Sequence, residues 1–252
     1  MNQIYKSYLA TFTLSTFLLL ISFNVQSKEI KVVTEFLEPY QIKNPDGSLG
    51  GFSTDVVNAL FKITKDEANI EIMPWARAYE IALHKPNTLI YSIARTEIRD
   101  KKFHWIGALK EERLYFWGLK KHYTKLDYEV SALKNYKIAV SRNSNTAQYL
   151  IAQNFANIYQ LANERQNMNM LFIDRVDLIL ATQITIETRA KSLGYDFNKL
   201  QKLNEVPALN NKLSIAFSMG TSPKLIKQYQ AAFQQLINEG QLAKLKAKWK
   251  LY

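Results

Sequence analysis

The chain has 252 residues, 47% of them hydrophobic and 22% charged, a globular composition that excludes a disordered, collagenous or coiled-coil chain. It has no cysteine, which excludes a disulfide scaffold, a thiolate metal site, a cysteine nucleophile and a lipid-anchored N-terminal cysteine. The 33 Lys+Arg outnumber the 22 Asp+Glu, but the cations are scattered singly along the chain, so no nucleic-acid partner is expected and the excess suits an anionic ligand.

Residues 1–27 read as a secretory signal. Lys6 precedes an apolar run over 9–23 that carries Thr11, Thr13, Ser15, Thr16 and Ser22. That run is short and polar-flecked for a membrane span, which needs about 20 apolar residues. Val25 and Ser27 occupy the −3 and −1 positions of a cleavage site. Cleavage after Ser27 and a periplasmic protein are expected, the alternative being an uncleaved anchor.

Residues 29–34 predict a strand, and Asn44-Pro45-Asp46-Gly47 a turn. Gly50-Gly51-Phe52 then leads into a helix with Ser53 as its expected N-cap and Val56, Leu60 and Ile63 on one face. A short strand at 70–73 precedes Pro74, which suits a first helical turn, and Trp75, Tyr79 and Leu83 form a stripe along that helix. Residues 88–94 predict a buried strand. This β-α-β-α-β order is that of a sheet with helices on it.

The order recurs. A strand at 136–140 is followed by Ser144, a cap for a helix with Ala147, Leu150 and Ile151. Met168, Leu171 and Phe172 mark a further helix, 177–181 a strand, and 184–193 a helix ending before Gly194. A strand at 213–217 leads to Ser222-Pro223 and a long helix with Leu225, Ile226, Tyr229, Phe233, Leu236 and Ile237 on one side. Glu239-Gly240 ends it. In the tail helix Leu242, Leu245 and Trp249 share one face, and Lys244, Lys246, Lys248 and Lys250 form a solvated basic side. Two similar lobes are expected, with no long linker and a crossing that reads as strand over 111–119.

His84, His104 and His122 lie far apart, so no metal motif is visible. The nucleophile-elbow, phosphate-loop and dinucleotide signatures are absent. No catalytic residue, metal or cofactor is expected.

Five motifs in order carry a resemblance. They are Pro39-Tyr40 with Asp46-Gly47 and Gly51-Phe52-Ser53-Thr54-Asp55; Thr96-Glu97-Ile98-Arg99 with Phe103; Val140-Ser141-Arg142-Asn143-Ser144-Asn145; Asp174-Arg175-Val176-Asp177-Leu178; and Asn238-Glu239-Gly240 through Trp249. Together the chain resembles the family 3 extracellular solute-binding proteins, the periplasmic components of polar amino-acid uptake systems. The resemblance implies an α/β, two-lobed periplasmic-binding-protein-like fold (type II) with two hinge crossings. Lobe 1 would be 28–110 plus 213–252, and lobe 2 would be 111–212. It also implies a monomer that captures a small carboxylate-bearing solute between its lobes for the membrane permease of an ABC importer.

Arg99 matches the family arginine that grips the ligand carboxylate, a role suited to its planar donor fork. Without the motif in register it would read as a surface arginine paired with Glu97 or Asp100. Ser92 and Ala94 match strand-end positions that face the ligand, with Ala94 in place of the usual hydroxyl residue. Arg95 either flanks the cleft or faces outward. Asn143, in place of a glycine, tolerates positive φ, and Ser144 stands at a helix start that can donate N–H groups to an anion. Thr182 stands where amino-acid binders of the family carry an Asp for the ligand ammonium, so Glu35 or Glu38 would have to supply the carboxylate, or the ligand lacks an amino group. Met73-Pro74-Trp75-Ala76-Arg77 opens a helix in a way found in a less characterised branch of the family. Trp75 and Arg77 either point to the cleft, or Trp75 and Tyr79 are a core stripe. Tyr40 and Trp105 are further candidates for stacking or for the core. Two other readings stay open: a ligand-sensing partner of a membrane receptor, and a dehydratase-type enzyme using Glu35 or Glu38 for proton transfer.

Overall fold

Strand β5 (Thr88–Ala94) is buried at every residue, as a strand covered on both faces must be. The computed structural model describes residues 29–125 and 128–251, so the expected signal over 1–27 lies outside the described residues. β5 sits at the centre of a sheet ordered β4-β1-β5-β12-β6, built with β1 (Ile30–Thr34), β4 (Ala68–Ile72), β6 (Phe103–Glu112) and β12 (Asn211–Ser218), while β2 (Ile42–Lys43) and β3 (Leu49–Gly50) pair with each other in a small separate ladder. β1 runs parallel to β4 and β5, and β12 antiparallel to β5 and β6.

The two faces of this sheet carry different helices. Leu89 and Tyr91 share a core with α1 (Phe52–Thr64), α7 (Pro223–Asn238) and α8 (Gln241–Lys248). Ile90 and Ile93 share another with α2 (Trp75–His84). The alternation breaks at Ser92, which β12 skips: Ile215 pairs with Tyr91 and Ser214 with Ile93. Ser92 has φ +56, so this is a β-bulge, one residue off the ladder.

A second sheet is ordered β11-β7-β10-β8-β9, from β7 (Tyr115–Leu119), β8 (Lys137–Ser141), β9 (Asn157–Leu161), β10 (Leu178–Ala181) and β11 (Leu200–Glu205). Helix α4 (Asn145–Ala152) covers one face, and α5 (Glu164–Phe172) and α6 (Gln183–Ser192) the other. The chain leaves the first sheet after Glu112 and returns at Asn211, which gives two lobes and two crossings. Glu111, Glu112, Asn211 and Lys212, placed with lobe 2 by the sequence boundaries, pair with one another in the first sheet. No helix among the described residues is long and apolar enough to cross a membrane.

Gly51, not Ser53, caps α1. Gly51 has φ +110, and a Cβ there would lie 2.3 Å from the Tyr40 carbonyl, so only glycine fits. This close approach lets Pro39 and Tyr40 carbonyls accept from Phe52 (3.1 Å) and Ser53 (3.0 Å), satisfying the helix's first donors. Ser53 is left free to face inward, where its hydroxyl accepts from Ser92 Oγ at 2.8 Å.

Asp55, the acid of the same motif, accepts from Lys248 Nζ and Trp249 Nε1, both at 2.8 Å. It ties the C-terminal helix to α1, so Lys248 is not simply part of a solvated face. Asp55→Ala is expected to lower stability by about 1.5 kcal/mol, carried mainly by the Trp249 bond because the lysine is exposed and screened. Urea denaturation should show a lower midpoint with an unchanged slope. An unchanged midpoint would contradict this account.

Candidate functional site

A cavity of about 100 Å³ lies between the lobes. Glu35, Tyr40, Trp75, Ser92, Ala94 and Arg99 line it from the first lobe, and Ser144, Asn145, Thr146, Glu164, Thr182 and Arg189 from the second. Glu112 and Leu114 at one crossing, and Leu209 and Asn211 at the other, also line it, with Leu37, Leu180 and Leu213 among its apolar residues.

Arg99 comes from the short helix α3 (Glu97–Asp100) and is 1% exposed. It has no carboxylate partner within ion-pair distance among the described residues, because Asp100 is bound instead by the exposed Arg95 at 2.7 Å. Its guanidinium lies 4.8 Å from the Tyr79 ring centre and 5.3 Å from that of Trp75. It donates to the carbonyls of Ala94 (3.3 Å) and Asn143 (3.1 Å), and its Nε has no partner. Burial pulls its pKa down, opposed by Tyr79 and Glu35. A guanidinium is too basic for this to discharge it.

Trp75 is both core and wall. It stacks on Tyr79 with ring centres 5.7 Å apart, and its Nε1 donates to the same Asn143 carbonyl at 3.1 Å. Asn143 does not line the cavity with its side chain; its φ of +60 turns the carbonyl towards Trp75 and Arg99 across the cleft. Arg77 is exposed and outside the cavity. Trp75 and Tyr79, four apart, share the buried face of α2, which turns the residue between them outward. Trp105 is also outside, with its ring under Arg95 and its Nε1 bonded to the Asp100 carbonyl.

The bulge at Ser92 brings that residue to the wall, where it accepts from Gln41 Nε2 at 2.7 Å and donates to Ser53. Ser144 caps α4 by accepting from the Ala147 N–H at 3.0 Å. The first N–H groups of α4 have no partner within the helix and form an anion-favouring end.

Thr182 is occupied as well. It caps α6 in a reciprocal pair with Thr185, each hydroxyl accepting from the other's N–H at 3.2 Å. Glu112 lines the wall with it and accepts from Tyr40 Oη at 2.5 Å. Tyr40 reaches the wall from the core, its ring buried edge-on to Phe52.

Glu38 spans the cleft, 2.7 Å from Arg165 and 3.8 Å from Arg189. Arg189 is 1% exposed and lies 3.4 Å from Glu164, which also accepts from Ser141 Oγ at 2.8 Å. Glu35 is partly exposed as a residue, but its Oε2 is shut off from solvent and has no hydrogen-bond partner. Burial pushes its carboxyl well above the ordinary range. Glu164 and Glu38 add to that shift, and Arg189 and Arg99 oppose it. No three His, Cys, Asp or Glu among the described residues are placed to hold a metal ion.

The profile of the bacterial extracellular solute-binding proteins, family 3, matches residues 30–251. An ancestral arginine-binding protein bound to arginine is 18% identical with a TM-score of 0.76, covering 88% of this chain and 97% of that one. A Salmonella typhimurium periplasmic binding protein of high arginine specificity is 16% identical with a TM-score of 0.76, covering 88% and 99%. A histidine kinase sensor domain with similarity to periplasmic binding proteins is 13% identical with a TM-score of 0.78, covering 88% and 96%. At these identities the likeness is one of fold. No curated protein sequence matches.

Tyr40→Phe tests the wiring of the wall. Burial raises the Glu112 carboxyl, and the Tyr40 bond offsets this by favouring the ionised form. Without the hydroxyl the carboxyl rises further. Such a group's contribution to stability is full below its unfolded pKa and is lost as pH climbs through its folded one. The variant should therefore lose about 1–3 kcal/mol, with a larger deficit at pH 8 than at pH 4. Thermal melts at the two pH values check this, and an equal deficit at both would contradict it.

Proposed function

The chain belongs to the bacterial extracellular solute-binding proteins, family 3, and from that premise we propose that it captures a small amino acid in the periplasm for the permease of an ABC importer. Arg99 takes the ligand's carboxylate, α4 adds its free N–H groups, and Glu35 takes the ligand's cationic group. The observation that carries this reading is charge balance in the wall. Arg189 pairs with Glu38 and Glu164, Arg165 with Glu38, and Lys110 lies 3.5 Å from Glu112. Among the described residues Arg99 and Glu35, one cation and one acid, are left without an ion-pair partner. A zwitterion supplies the complementary pair.

No group is expected to react with the ligand, which leaves unchanged. The five leucines of the wall, Leu37, Leu114, Leu180, Leu209 and Leu213, suit the aliphatic part of such a ligand. The likeness to a kinase sensor domain supports a second reading, in which the loaded protein docks on a membrane receptor. Capture is the same in both. Neighbouring permease and ATPase genes favour uptake, and a lone receptor gene favours sensing.

A thermal-shift panel of amino acids, di- and tricarboxylates, polyamines and aromatic acids tests capture. A ligand at about 1,000 times its dissociation constant stabilises by roughly 4 kcal/mol, which moves the melting point by several degrees. An amino acid should give the largest shift. Arg99→Lys, which keeps the charge but loses the fork, should weaken that ligand about ten- to hundredfold by calorimetry. Full affinity in Arg99→Lys would contradict the assigned role.

A further inference from the structure

Glu35 stands at the C-terminal end of β1, where the sheet ends at the cavity. Four charged groups face it from the elements packed around it: Glu38 from its own loop, Glu164 from the start of α5, Arg189 from α6 and Arg99 from α3. The neighbouring acids have donors: Glu164 has Ser141 and Arg189, Glu112 has Tyr40, and Glu38 has Arg165 on its Oε1, with its own Oε2 left 3.8 Å from Arg189. Glu35 Oε2 has none and is closed off from solvent. Arg189 lies 3.4 Å from Glu164 and 3.8 Å from Glu38 and makes no ion pair with Glu35. An ionised carboxylate in that position would hold one oxygen away from solvent and without a hydrogen bond, beside two like charges. The neutral acid is the form that these surroundings favour.

We infer that Glu35 makes capture proton-linked: it keeps its proton until a ligand's cationic group arrives beside it, then ionises and releases that proton to solvent, one for each cation-bearing ligand bound. The inference rests on the capture reading and deepens it by naming the ligand class that the cleft selects. The step balances. A carboxylic acid and an ammonium or guanidinium ion enter, and a carboxylate–cation pair and one solvated proton leave. A cation-bearing ligand then binds more tightly as pH rises, by up to about tenfold per unit while Glu35 is still protonated in the unliganded protein. A ligand with carboxylates alone gains nothing from ionising Glu35 and binds no better at high pH.

The carboxyl ¹³C resonance of Glu35, identified by its loss in Glu35→Gln, reads the protonation state directly. In the protein alone it should titrate well above the surface glutamates. Titration with those glutamates would overturn the inference, whether or not any ligand binds. L-arginine and glutarate then serve as probes with and without a cation, calorimetry in buffers of different ionisation enthalpy counts the protons, and a melting shift reports binding. Bound L-arginine should move the resonance to its ionised position and release close to one proton. Bound glutarate should do neither. L-arginine binding with the resonance unmoved would overturn the inference while leaving capture intact. If no compound of the wider panel raises the melting point, capture fails, and the titration still decides whether the fold holds Glu35 protonated.

A second readout needs no ligand. A group held protonated by the fold adds stability below its unfolded pKa and loses it as pH rises through its folded one. Glu35→Gln, permanently neutral, should melt several degrees above the natural protein at pH 8, with the gap closing towards pH 4. Parallel melting curves across that range would overturn the inference.

Discussion

A guanidinium buried without a counter-ion is the constraint on which the cleft depends. Removing a charge from water costs several kcal/mol even after local relaxation, unless dipoles or opposite charge replace the lost hydration. At Arg99 the replacements are two aromatic faces and two carbonyls. Each makes a demand elsewhere. The stack of Trp75 on Tyr79 fixes the face of α2 that turns inward. The Ala94 carbonyl is set by the end of β5, just past the bulge at Ser92. The Asn143 carbonyl belongs to the other lobe and reaches Arg99 only because the backbone there turns through positive φ. None of these partners is an anion, so Arg99 keeps its capacity for a carboxylate.

The same logic links the lobes. Asn143 meets Arg99 and Trp75 on one side of the cleft, and Glu38 meets Arg165 and Arg189 on the other. Both sets of ties cross between sheets that the chain itself joins only at two crossings. Glu112, at one crossing, is held by Tyr40, whose carbonyl also receives the start of α1. The Pro39-Tyr40 segment therefore connects the first helix, the cavity wall and the crossing. That is a physical reason for a proline–aromatic pair and a Gly-Phe pair to occur together in this chain.

Much of this was legible in the sequence where one local signal sufficed. The 88–94 strand is an unbroken apolar run, Ser144 and Ser222 are caps ahead of apolar stripes, and Asn143 is a residue suited to the backbone it adopts. Strands β9 and β11 read as polar because, at the sheet edges, they bury little: no residue of Asn157–Leu161 is buried, and only Leu200 and Leu203 of Leu200–Glu205 are. Arg77 points to solvent because the second residue after an inward tryptophan falls on the opposite side of the helix, which the motif alone does not show. Glu112, Glu164 and Arg189 were not legible, since three separate elements bring them together with no spacing to mark it. A weak cue existed for Glu164, an acid directly after the capping residue Asn163. Thr182 carried its own explanation in the Thr-x-x-Thr spacing, which is a reciprocal cap before it is anything else.

The charges of the cleft call for a zwitterion between Arg99 and Glu35. A crystal structure of the protein grown with the compound that most raises its melting point tests this most directly. That compound should be enclosed by both lobes, its carboxylate on the Arg99 guanidinium and its cationic group beside Glu35. A compound seated elsewhere, or one between the lobes with Arg99 still bonded only to the Ala94 and Asn143 carbonyls, would contradict it.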